Sequence, residues 1–404
     1  MKVLVLNSGS SSLKFTLFEM TEETVLIGGS FERIGLPQSV ISFQAFGGPH
    51  QTISANIPNH GTALDALFET LTAGPISALQ DIPAVAHRLG HGGKYRETKL
   101  IDIEVMDEIR KVTPFFPLHY PAMILEIEEC MKKMPQALHV AVFDCSFHRD
   151  IPDEAAIYGL PYRFFSEKGY KRIGYHGNSH AFSAIESSNF LGRPLEQLRI
   201  ITLHLGNGSS SCAIRYGKSI DTTMGVTTVE GLIMGTRSGD VDPGLIPFIM
   251  DDEKLSTNQI SDMLVHHSGL LGISGLSRDM REIEKAAGDG NERAKLALNA
   301  FCYKAKRSIG SMLIALGGCN VLVFTGGIGI NSSTVRSKCL EGTEELGFMI
   351  DNEKNLNLLP PTMERPVAEI SSQSSPVRIL VIRANEEIMM ARECYDLAKT
   401  VLQI

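Results

Sequence analysis

Five short segments rich in glycine and polar residues carry the side chains that could do chemistry in this 404-residue chain. They are residues 7–14 (NSGSSSLK), 88–93 (RLGHGG), 204–210 (HLGNGSS), 235–243 (GTRSGDVDP) and 326–331 (GGIGIN). Glycine lets the backbone approach a ligand closely, and the amides of a tight turn can point at one anion. None of the segments matches GxxxxGK[ST] or GxGxxG, which excludes a P-loop or a Rossmann fingerprint. A nucleotide phosphate would therefore bind at hairpin turns and at a glycine pair before a helix.

Basic side chains lie in or beside these segments. Arginine forks match carboxylate and phosphoryl oxygens, and histidine donates a hydrogen bond to developing negative charge. Each cation alone also suits a helix cap or a surface ion pair. Together they predict a pocket for a small anion, and they are Lys14, Arg88, His119, His176, His180, His204 and Arg237.

Two acidic residues lie at positions where a carboxylate commonly binds a metal or orients a nucleophile. Asp144 follows the apolar run LHVAVF at the carboxyl end of a predicted strand, and Glu386 begins the last predicted helix. The alternatives are an N-cap for Asp144 and a favourable helix-dipole position for Glu386. His176 and His180 have the spacing of a zinc pair, but no glutamate base or third ligand accompanies them, which disfavours zinc.

Strands alternating with helices must position these residues, which predicts an α/β chain. Continuous apolar runs predict strands at 83–87, 138–143, 199–205, 320–325 and 377–382, and helical patterns occur at 121–134, 278–288, 292–316 and 385–402. Each glycine segment follows or lies close to a predicted strand. Open α/β sheets bind ligands beyond the carboxyl ends of their strands.

An internal repeat predicts two related lobes. Residues 3–15 (VLVLNSGSSSLKF) and 202–214 (TLHLGNGSSSCAI) each read as strand, polar turn, three serines and strand. We expect an N-terminal lobe over 1–150, completed by the terminal helix 385–404, and a C-terminal nucleotide-binding lobe over 151–384. No low-complexity linker joins them, so we expect closely packed lobes with a cleft between.

Composition narrows the class of function. With 38 Lys and Arg against 46 Asp and Glu the net charge is −8, so a general nucleic-acid or anionic-membrane surface is not expected. Seven cysteines without a CxxC argue against a disulfide framework or a zinc ribbon and favour a reducing cytoplasm. The apolar stretch 3–6 is too short for a signal peptide, and the charge-free stretch 308–330 is broken by glycines, as expected for a helix end, a turn, a buried strand and a glycine loop.

Motifs spread over nearly the whole chain resemble those of the acetate kinase family. They are NSGSSSLKF, HRLGHGG, PLHYPA, FDCSFH, GYHGNSH, HLGNGSS, DTTMG, EGLIMGTRSGDVDPG, FTGGIGINS and ANEE. The resemblance implies the two-lobed duplicated fold of the actin and sugar-kinase superfamily, with a nucleotide cleft between the lobes. It also implies reversible phosphoryl transfer between ATP and acetate giving acetyl phosphate and ADP, with Mg²⁺ or alternatively Mn²⁺, in a cytoplasmic homodimer without nucleic-acid or membrane partners.

Carried over residue by residue, the resemblance gives each motif a role. Asn7 and Glu386 would hold the metal, Arg88 and Arg237 the carboxylate and the transferring phosphoryl group. His176 would stabilise the transition state, and Asp144 would be the catalytic carboxylate, orienting metal-bound water or an arginine rather than abstracting a proton, because the acceptor carboxyl group is already ionised at neutral pH. The implied nucleotide contacts are Ser10, Ser12, Lys14, His204, Leu205, Gly206, Asn207, Gly208, Asp279, Met280, Arg281, Gly326, Gly327, Ile328, Gly329 and Ile330.

The sequence departs from the family pattern in its acyl pocket and near the nucleotide. The implied pocket residues are Gly90, Leu118, Tyr175 and Thr228, and the family usually has Val, Phe and Pro at the first, third and fourth of these. A glycine in place of valine opens space for one or two methylenes, which keeps a propionate or other short-chain acid kinase as an alternative. Ile330 replaces a family glutamate and removes a carboxylate near the nucleotide. A nonenzymatic ATP-binding switch is the alternative of another class, and such a switch has no use for two arginines at an acyl pocket.

Overall fold

The computed structural model describes residues 1–115 and 120–403, and these form two mixed β-sheets covered by helices. The strands are β1 (Lys2–Ser8), β2 (Ser12–Glu19), β3 (Thr24–Glu32), β4 (Ser39–Ala45), β5 (Gln51–Ala55), β6 (Ala84–Leu89), β7 (Lys99–Leu100), β8 (Leu138–Phe143), β9 (Arg199–Leu205), β10 (Ser209–Arg215), β11 (Lys218–Thr222), β12 (Val321–Thr325), β13 (Val367–Glu369) and β14 (Arg378–Ile382).

Helices follow most of the parallel strands. They are α1 (His60–Thr72), α2 (Ile103–Val112), α3 (Tyr120–Lys133), α4 (Asp153–Ala156), α5 (Arg163–Ser166), α6 (Gly177–Leu191), α7 (Leu245–Asp252), α8 (Thr257–His266), α9 (Gly269–Ser274), α10 (Met280–Gly288), α11 (Glu292–Leu316), α12 (Gly326–Asn331), α13 (Ser333–Leu340), α14 (Asn352–Leu356) and α15 (Glu386–Leu402).

Both sheets repeat one pattern of strand pairing. The first has the order β5-β4-β3-β2-β1-β6-β8-β7, in which β1 is antiparallel to β2 and parallel to β6, and β6 is parallel to β8. The second has the order β11-β10-β9-β12-β14-β13, in which β9 is antiparallel to β10 and parallel to β12, and β12 is parallel to β14. The predicted α/β class and its internal duplication are confirmed.

The chain divides into two compact units, each with its own apolar core. One comprises Met1–Ser146 and Glu386–Ile404, and the other comprises Phe147–Asn385. Strand β12 shows why parallel strands read as continuous apolar runs, because Val321 to Phe324 are all 0% exposed between covering helices. In the first unit α15 packs against β1, β6 and β8, so the end of the chain completes the sheet made by its beginning.

The predicted elements agree with the observed ones within two residues, with two corrections. Residues 326–331 form a short helix, α12, rather than a glycine loop, because Gly326 turns the chain with φ +76° directly after β12. Residues 235–243 do not follow a strand, since they lie in an irregular stretch between β11 and α7. Hydrogen bonds to distant backbone hold that stretch instead, such as Gly235 N–H to the carbonyl of Asn207 at 3.0 Å.

None of the helices in the described part of the chain combines the length and the apolar character that crossing a bilayer requires. Seven free cysteines are present, and six of them are buried.

Candidate functional site

Three adjacent strands of the first unit bring together residues that lie far apart in the chain. Strands β1, β6 and β8 run side by side, so their carboxyl ends meet at one edge of the sheet. Asn7 is near the end of β1, Arg88 is near the end of β6, and Asp144 directly follows β8. Helix α15 begins at Glu386 and packs on the same strands. Sequence analysis selected all four residues, and the fold places them at this edge.

An ion network forms at this edge around Arg88. Its Nε and Nη2 atoms donate to the two carboxylate oxygens of Asp144 at 3.1 and 2.7 Å, and Nη2 also lies 3.1 Å from Oε2 of Glu386. Burial alone would lower the pKa of Arg88, but Asp144 and Glu386 raise it above its ordinary value. Burial raises the pKa of Asp144, and the ion pair with Arg88 opposes that rise. The bidentate pair fits the expectation that Asp144 orients an arginine.

The first hairpin carries the predicted serines, and its lysine acts on the acidic start of α15. Lys14 lies opposite Asn7 in the β1–β2 ladder, and the turn is closed by the Gly9 N–H donating to the carbonyl of Ser12 at 2.8 Å. Ser10 and Lys14 are exposed. Burial raises the pKa of Glu387, Lys14 lowers it, and Glu386 raises it further. Lys14 therefore interacts with the acidic start of α15.

The segment after β6 is fixed by a residue that sequence analysis missed. The hydroxyl of Tyr120 accepts from the His91 N–H at 2.6 Å and donates to the His91 carbonyl at 2.7 Å. Tyr120 is buried, and burial raises its pKa. The motif PLHYPA contained this tyrosine, but nothing in its spacing indicated a partner. Gly90 is partly buried and has no positive φ, whereas Gly93 has φ +63°. Leu118 and His119 lie outside the described residues.

His176 occupies a strained position in the second unit. It is the N-cap of α6 with φ +57° and ψ +24°, the left-handed region that non-glycine residues seldom adopt. Its Nδ1 atom lies 2.8 Å from the hydroxyl of Ser210, and its ring stacks on His204 with centroids 4.1 Å apart. The Nε2 atom would lie 3.3 Å from a Cβ placed on Gly208. The ring is held by two neighbours and directed at the glycine turn.

Arg237, which lies in the segment 235–243, also approaches Gly208. Its Nη1 atom would lie 3.5 Å from the same Cβ of Gly208, and it donates to the carbonyl of Thr228 at 3.1 Å. Among the described residues of its unit, no Asp or Glu forms a salt bridge with Arg237. Burial lowers the pKa of its guanidinium. A half-buried cation with no carboxylate partner among these residues, lying beside a histidine ring, is suited to binding an anion.

Glycines bring the two predicted nucleotide segments into contact. A Cβ on Gly326 would lie 2.5 Å from the carbonyl oxygen of Leu205, so no larger residue fits where α12 meets the 204–208 turn. A Cβ on Gly206 would lie 4.0 Å from the Gly327 nitrogen and 3.8 Å from Nε2 of His204. Asn207 is exposed at the tip of the turn, and Gly327 is exposed at the start of the helix.

Asp279 and Arg281 form the start of α10. Asp279 caps the helix by accepting from the Arg281 N–H at 2.9 Å, and it also accepts from the Arg281 side chain. These hydrogen bonds lower the pKa of Asp279 to about 2. The Arg278 carbonyl would lie 3.3 Å from a Cβ on Gly235, so the end of the preceding loop lies near the 235–243 segment.

Three residues expected to contact nucleotide have side chains that face the core. Leu205, Met280 and Ile330 are 0%, 3% and 9% exposed and belong to the apolar core of the second unit. Gly329 and Ile328 are mostly covered as well. The side chains at these three positions are therefore not available to a ligand, and Ile330 in place of the family glutamate places an apolar group in an apolar core.

Buried Arg336 holds α12 and was missed by sequence analysis. It donates to the carbonyls of Gly329 and Ile330 at 2.9 and 2.7 Å and, through Nε, to the Asn355 side chain at 2.7 Å. Burial lowers its pKa to about 10. A lone arginine in a helix five residues after GGIGIN gives no sign of burial, so the sequence held no usable signal.

The remaining residues of the predicted acyl pocket are held by hydrogen bonds. The Tyr175 hydroxyl donates to the carbonyl of Val226 at 2.8 Å. Tyr158 donates to Glu230 at 2.5 Å and accepts from the Val226 N–H at 3.0 Å. The stretch that carries Thr228 is therefore fixed on both sides, and the polar atom of Tyr175 already has a partner.

The donor set in the first unit fits a magnesium ion. No cluster of three or more His, Cys, Asp or Glu side chains suited to a metal occurs in residues 1–115 and 120–403. Magnesium does not require one, since it is usually held by one or two carboxylates together with waters and substrate phosphates. Asn7 and Glu386 offer amide and carboxylate oxygens only, the ligands that suit this ion.

Comparisons with known proteins agree with this geometry. The model of the Acetokinase family matches residues 2–392. The acetate kinase of Caldicellulosiruptor bescii is 45% identical over 397 residues, covering 97% of this chain and 98% of that protein. The crystal structure of Porphyromonas gingivalis acetate kinase superposes with a TM-score of 0.89 at 39% identity, covering 98% of this chain and 99% of that one. A propionate kinase from Francisella tularensis gives a TM-score of 0.89 at 36% identity, covering 98% and 99%.

Two mixed sheets built on one repeated pattern, with arginine and histidine side chains at strand ends and glycine turns, define an α/β protein whose candidate site is suited to an anion. With the match over nearly its full length, the chain belongs to the acetokinase family.

Proposed function

We propose that this protein is a kinase that transfers the γ-phosphoryl group of ATP to the carboxylate of acetate, reversibly, giving acetyl phosphate and ADP. Family membership and the similarity to acetate kinases support the class of reaction. The observation that carries the proposal is the cradle at Gly208, where Nε2 of His176 and Nη1 of Arg237 converge and where no carboxylate of the described residues pairs with the arginine.

The chemistry needs no base. A carboxylic acid with a pKa near 4 to 5 is ionised at neutral pH, so its oxygen attacks phosphorus while the bond from phosphorus to the ADP oxygen breaks. The barrier comes from repulsion between two anions and from charge on the transferring group. Arg237 and His176 would donate to the phosphoryl oxygens, and Arg88 would neutralise the acceptor carboxylate.

The proposed roles of the two units differ. Asn7 and Glu386 of the first unit would hold Mg²⁺, which when bound would neutralise phosphate charge. Ser10, Ser12 and Lys14 would line the phosphate path. The turn 204–208, the start of α10 and the start of α12 in the second unit would bind the nucleotide. The units would correspond to the predicted lobes 1–150 with 385–404 and 151–384.

Filling the cradle tests the reaction. Gly208→Ala places a methyl group between His176 and Arg237, at 3.3 and 3.5 Å from their nitrogens, without demanding a positive φ. In an acyl-phosphate (hydroxamate) assay with ATP and acetate we expect loss of at least 100-fold in kcat. Gly310→Ala is the matched control, because a Cβ at this position of α11 meets nothing within 4 Å. No product from the wild-type protein with any short-chain acid would overturn the proposal.

A propionate kinase activity is the second candidate, and Gly90 is the observation that favours it. Gly90 replaces the valine usual before HGG and lacks the positive φ that would demand glycine, so its backbone does not explain its presence. Gly90→Val should lower kcat/KM for propionate relative to acetate by roughly tenfold, since a methylene is worth about 1 to 3 kcal/mol in discrimination. An equal loss on both acids would contradict a role in selectivity.

We further propose a cytoplasmic homodimer. The exposed side chains Phe248 (75%) and Leu245 (46%) on α7 and Ile314 (80%) on α11 offer apolar surface for a second copy. The free cysteines fit a reducing compartment. Light scattering after size-exclusion chromatography would give about twice the 44.2 kDa chain mass.

A further inference from the structure

A chain of buried hydrogen bonds leads from strand β9 to His176. The Oγ1 atom of Thr202 lies 2.6 Å from Nδ1 of His180, whose Nε2 lies 2.8 Å from the Ser210 hydroxyl. The same hydroxyl lies 2.8 Å from Nδ1 of His176. Thr202, His180 and Ser210 are each 0% exposed. The chain thus ends at the ring nitrogen of His176 that does not face Gly208.

Three patterns of donation satisfy this chain while both rings are neutral. In the forward pattern Thr202 donates to His180, His180 donates through Nε2 to Ser210, and Ser210 donates to Nδ1 of His176. In the reversed pattern every donor is exchanged for its acceptor. In the third pattern Thr202 donates to His180, and both rings donate to the Ser210 oxygen, which can accept two hydrogen bonds.

The two buried hydroxyls decide among the three patterns. Among the described residues, the Thr202 hydroxyl contacts only His180, and the Ser210 hydroxyl contacts only His176 and His180. The Thr202 O–H therefore has no acceptor in the reversed pattern, and the Ser210 O–H has none in the third. Leaving a buried donor unsatisfied costs about 1 to 3 kcal/mol. Burial lowers the pKa of His180 well below its ordinary value, which keeps that ring neutral. The forward pattern is therefore favoured.

We propose that Thr202, His180 and Ser210 are positioning residues that keep the proton of neutral His176 on Nε2. This atom is directed at the cradle beside Arg237, where the proposed reaction develops negative charge. The inference rests on the proposed function for its purpose, but the tautomer can be read without any substrate. His176 thus acts as a hydrogen-bond donor that needs no protonation.

The tautomer is measured by ¹⁵N NMR of protein labelled at histidine, because nitrogens with and without a proton differ widely in chemical shift. The His176 signals are assigned by comparison with His176→Asn. We expect wild-type His176 to carry its proton on Nε2. Ser210→Ala removes the donor to Nδ1, and Thr202→Val removes the group that orients the chain, so both should raise the Nδ1–H population. A wild-type ring with its proton on Nδ1 would overturn the proposal.

Kinetics supply the second readout. Ser210→Ala should lower kcat for acetate by about 10- to 100-fold, the usual effect of removing a group that orients a reacting one, with KM for ATP and acetate nearly unchanged. Ser211→Ala is the matched control. Its hydroxyl is the next one along β10, is also 0% exposed, and has no hydrogen-bond partner in the described part of the chain.

The two proposals fail in different ways. A tautomer shift in Ser210→Ala with no carboxylate kinase activity in the wild type would contradict the proposed function and leave the hydrogen-bond chain supported. Normal kinase activity with an unchanged His176 tautomer in both Ser210→Ala and Thr202→Val would contradict the positioning role of the hydrogen-bond chain. If Ser210→Ala does not fold, Thr202→Val decides alone, because valine has nearly the volume of threonine.

Discussion

The two hairpins that repeat in the sequence use their serines in opposite ways. In the first, Ser10 lies exposed in the turn and Ser12 is only partly buried. In the second, Ser209, Ser210 and Ser211 are all 0% exposed, because β10 begins at Ser209 and α11 packs against this strand. One pattern of residues therefore supplies a turn that a phosphate can approach and a strand that orients histidines. Sequence similarity between the two repeats indicates a shared backbone structure. Whether each serine hydroxyl can contact a ligand or only other side chains depends on how deeply it is buried.

The two arginines show the same contrast between the units. Arg88 is paired bidentately with Asp144 and lies beside Glu386, so its charge is largely neutralised within the first unit. Arg237 donates to a carbonyl and has no carboxylate partner among the described residues of the second unit. The charge of Arg88 therefore stabilises the folded first unit, whereas the charge of Arg237 is available for the proposed anionic ligand.

Arg237→Ala should give the largest loss. Removing the uncompensated cation eliminates charge stabilisation of the transferring group, and we expect kcat to fall by about 10³-fold. The free energy of unfolding should change little, because the arginine has no carboxylate partner among the described residues and the Thr228 carbonyl that it leaves is only partly buried. Steady-state kinetics and urea unfolding measure the two effects. Arg378→Ala, which removes a surface ion pair with Glu369 in the same unit, is the control.

Arg88→Ala should lose a similar factor in kcat and lose stability as well. Asp144, which is 7% exposed, would lose the arginine of its bidentate ion pair, and breaking a buried ion pair in this way costs about 3 to 5 kcal/mol. Unfolding in urea should therefore separate the two arginine variants even where kinetics do not. Equal stability of Arg88→Ala and Arg237→Ala would contradict the view that only Arg88 stabilises its unit through an ion pair.

The sequence indicated both arginines as candidate site residues, but it did not indicate that one would be paired with a carboxylate and the other would not. Strand ends and glycine turns indicated Arg88, Asp144 and Arg237, because strands and turns are local patterns. The pairing of Arg88 with Asp144 depends on β6 and β8 becoming neighbours, which no local pattern encodes. Tyr120 and Arg336 were missed for the same reason, since their partners are backbone groups brought near only by the fold.

Burial of individual side chains was also beyond the sequence. The resemblance gave Leu205, Met280 and Ile330 nucleotide roles, and all three face the core of the second unit. Helix α12 was expected as a loop, because glycines are common turn signals, yet Arg336 donates to the carbonyls of Gly329 and Ile330 and holds this glycine-rich helix in place. Tertiary contacts override local propensity at these positions.

Acid should destabilise both units through buried histidines. Burial lowers the pKa of His139 in the first unit and of His148 in the second to about 4. The unfolded chain binds a proton at each near pH 6.5, and the folded chain does not until about pH 4. Stability is therefore complete above pH 6.5 and falls as the pH is lowered toward 4, by roughly 2 kcal/mol per histidine at pH 5.

Replacing each histidine separately measures how much of the acid destabilisation comes from each unit. Urea unfolding at pH 7 and pH 5, followed by circular dichroism, should show a smaller difference in His148→Gln and in His139→Gln than in the wild type. Exposed His266→Gln serves as the control. An undiminished difference in either variant would mean that the histidine in that unit is protonated in the folded state or is not the source of the effect.

The smallest expected effect tests the two serine runs directly. The Ser209 hydroxyl donates to the Gly206 carbonyl at 3.1 Å and accepts from the Gly206 N–H at 3.3 Å, which braces the 204–208 turn from within. Ser209→Ala should therefore lower the free energy of unfolding by about 1 kcal/mol and raise KM for ATP, because both hydrogen bonds of its hydroxyl to Gly206 are lost at the proposed nucleotide turn. Ser10→Ala, at the corresponding place in the first hairpin, removes an exposed hydroxyl and should leave unfolding within about 0.5 kcal/mol of the wild type. Its kinetic effect should appear only with nucleotide present. If Ser10→Ala destabilised the protein as much as Ser209→Ala, the hydroxyls of both hairpins would be structural, and the first turn would lose its proposed place on the phosphate path.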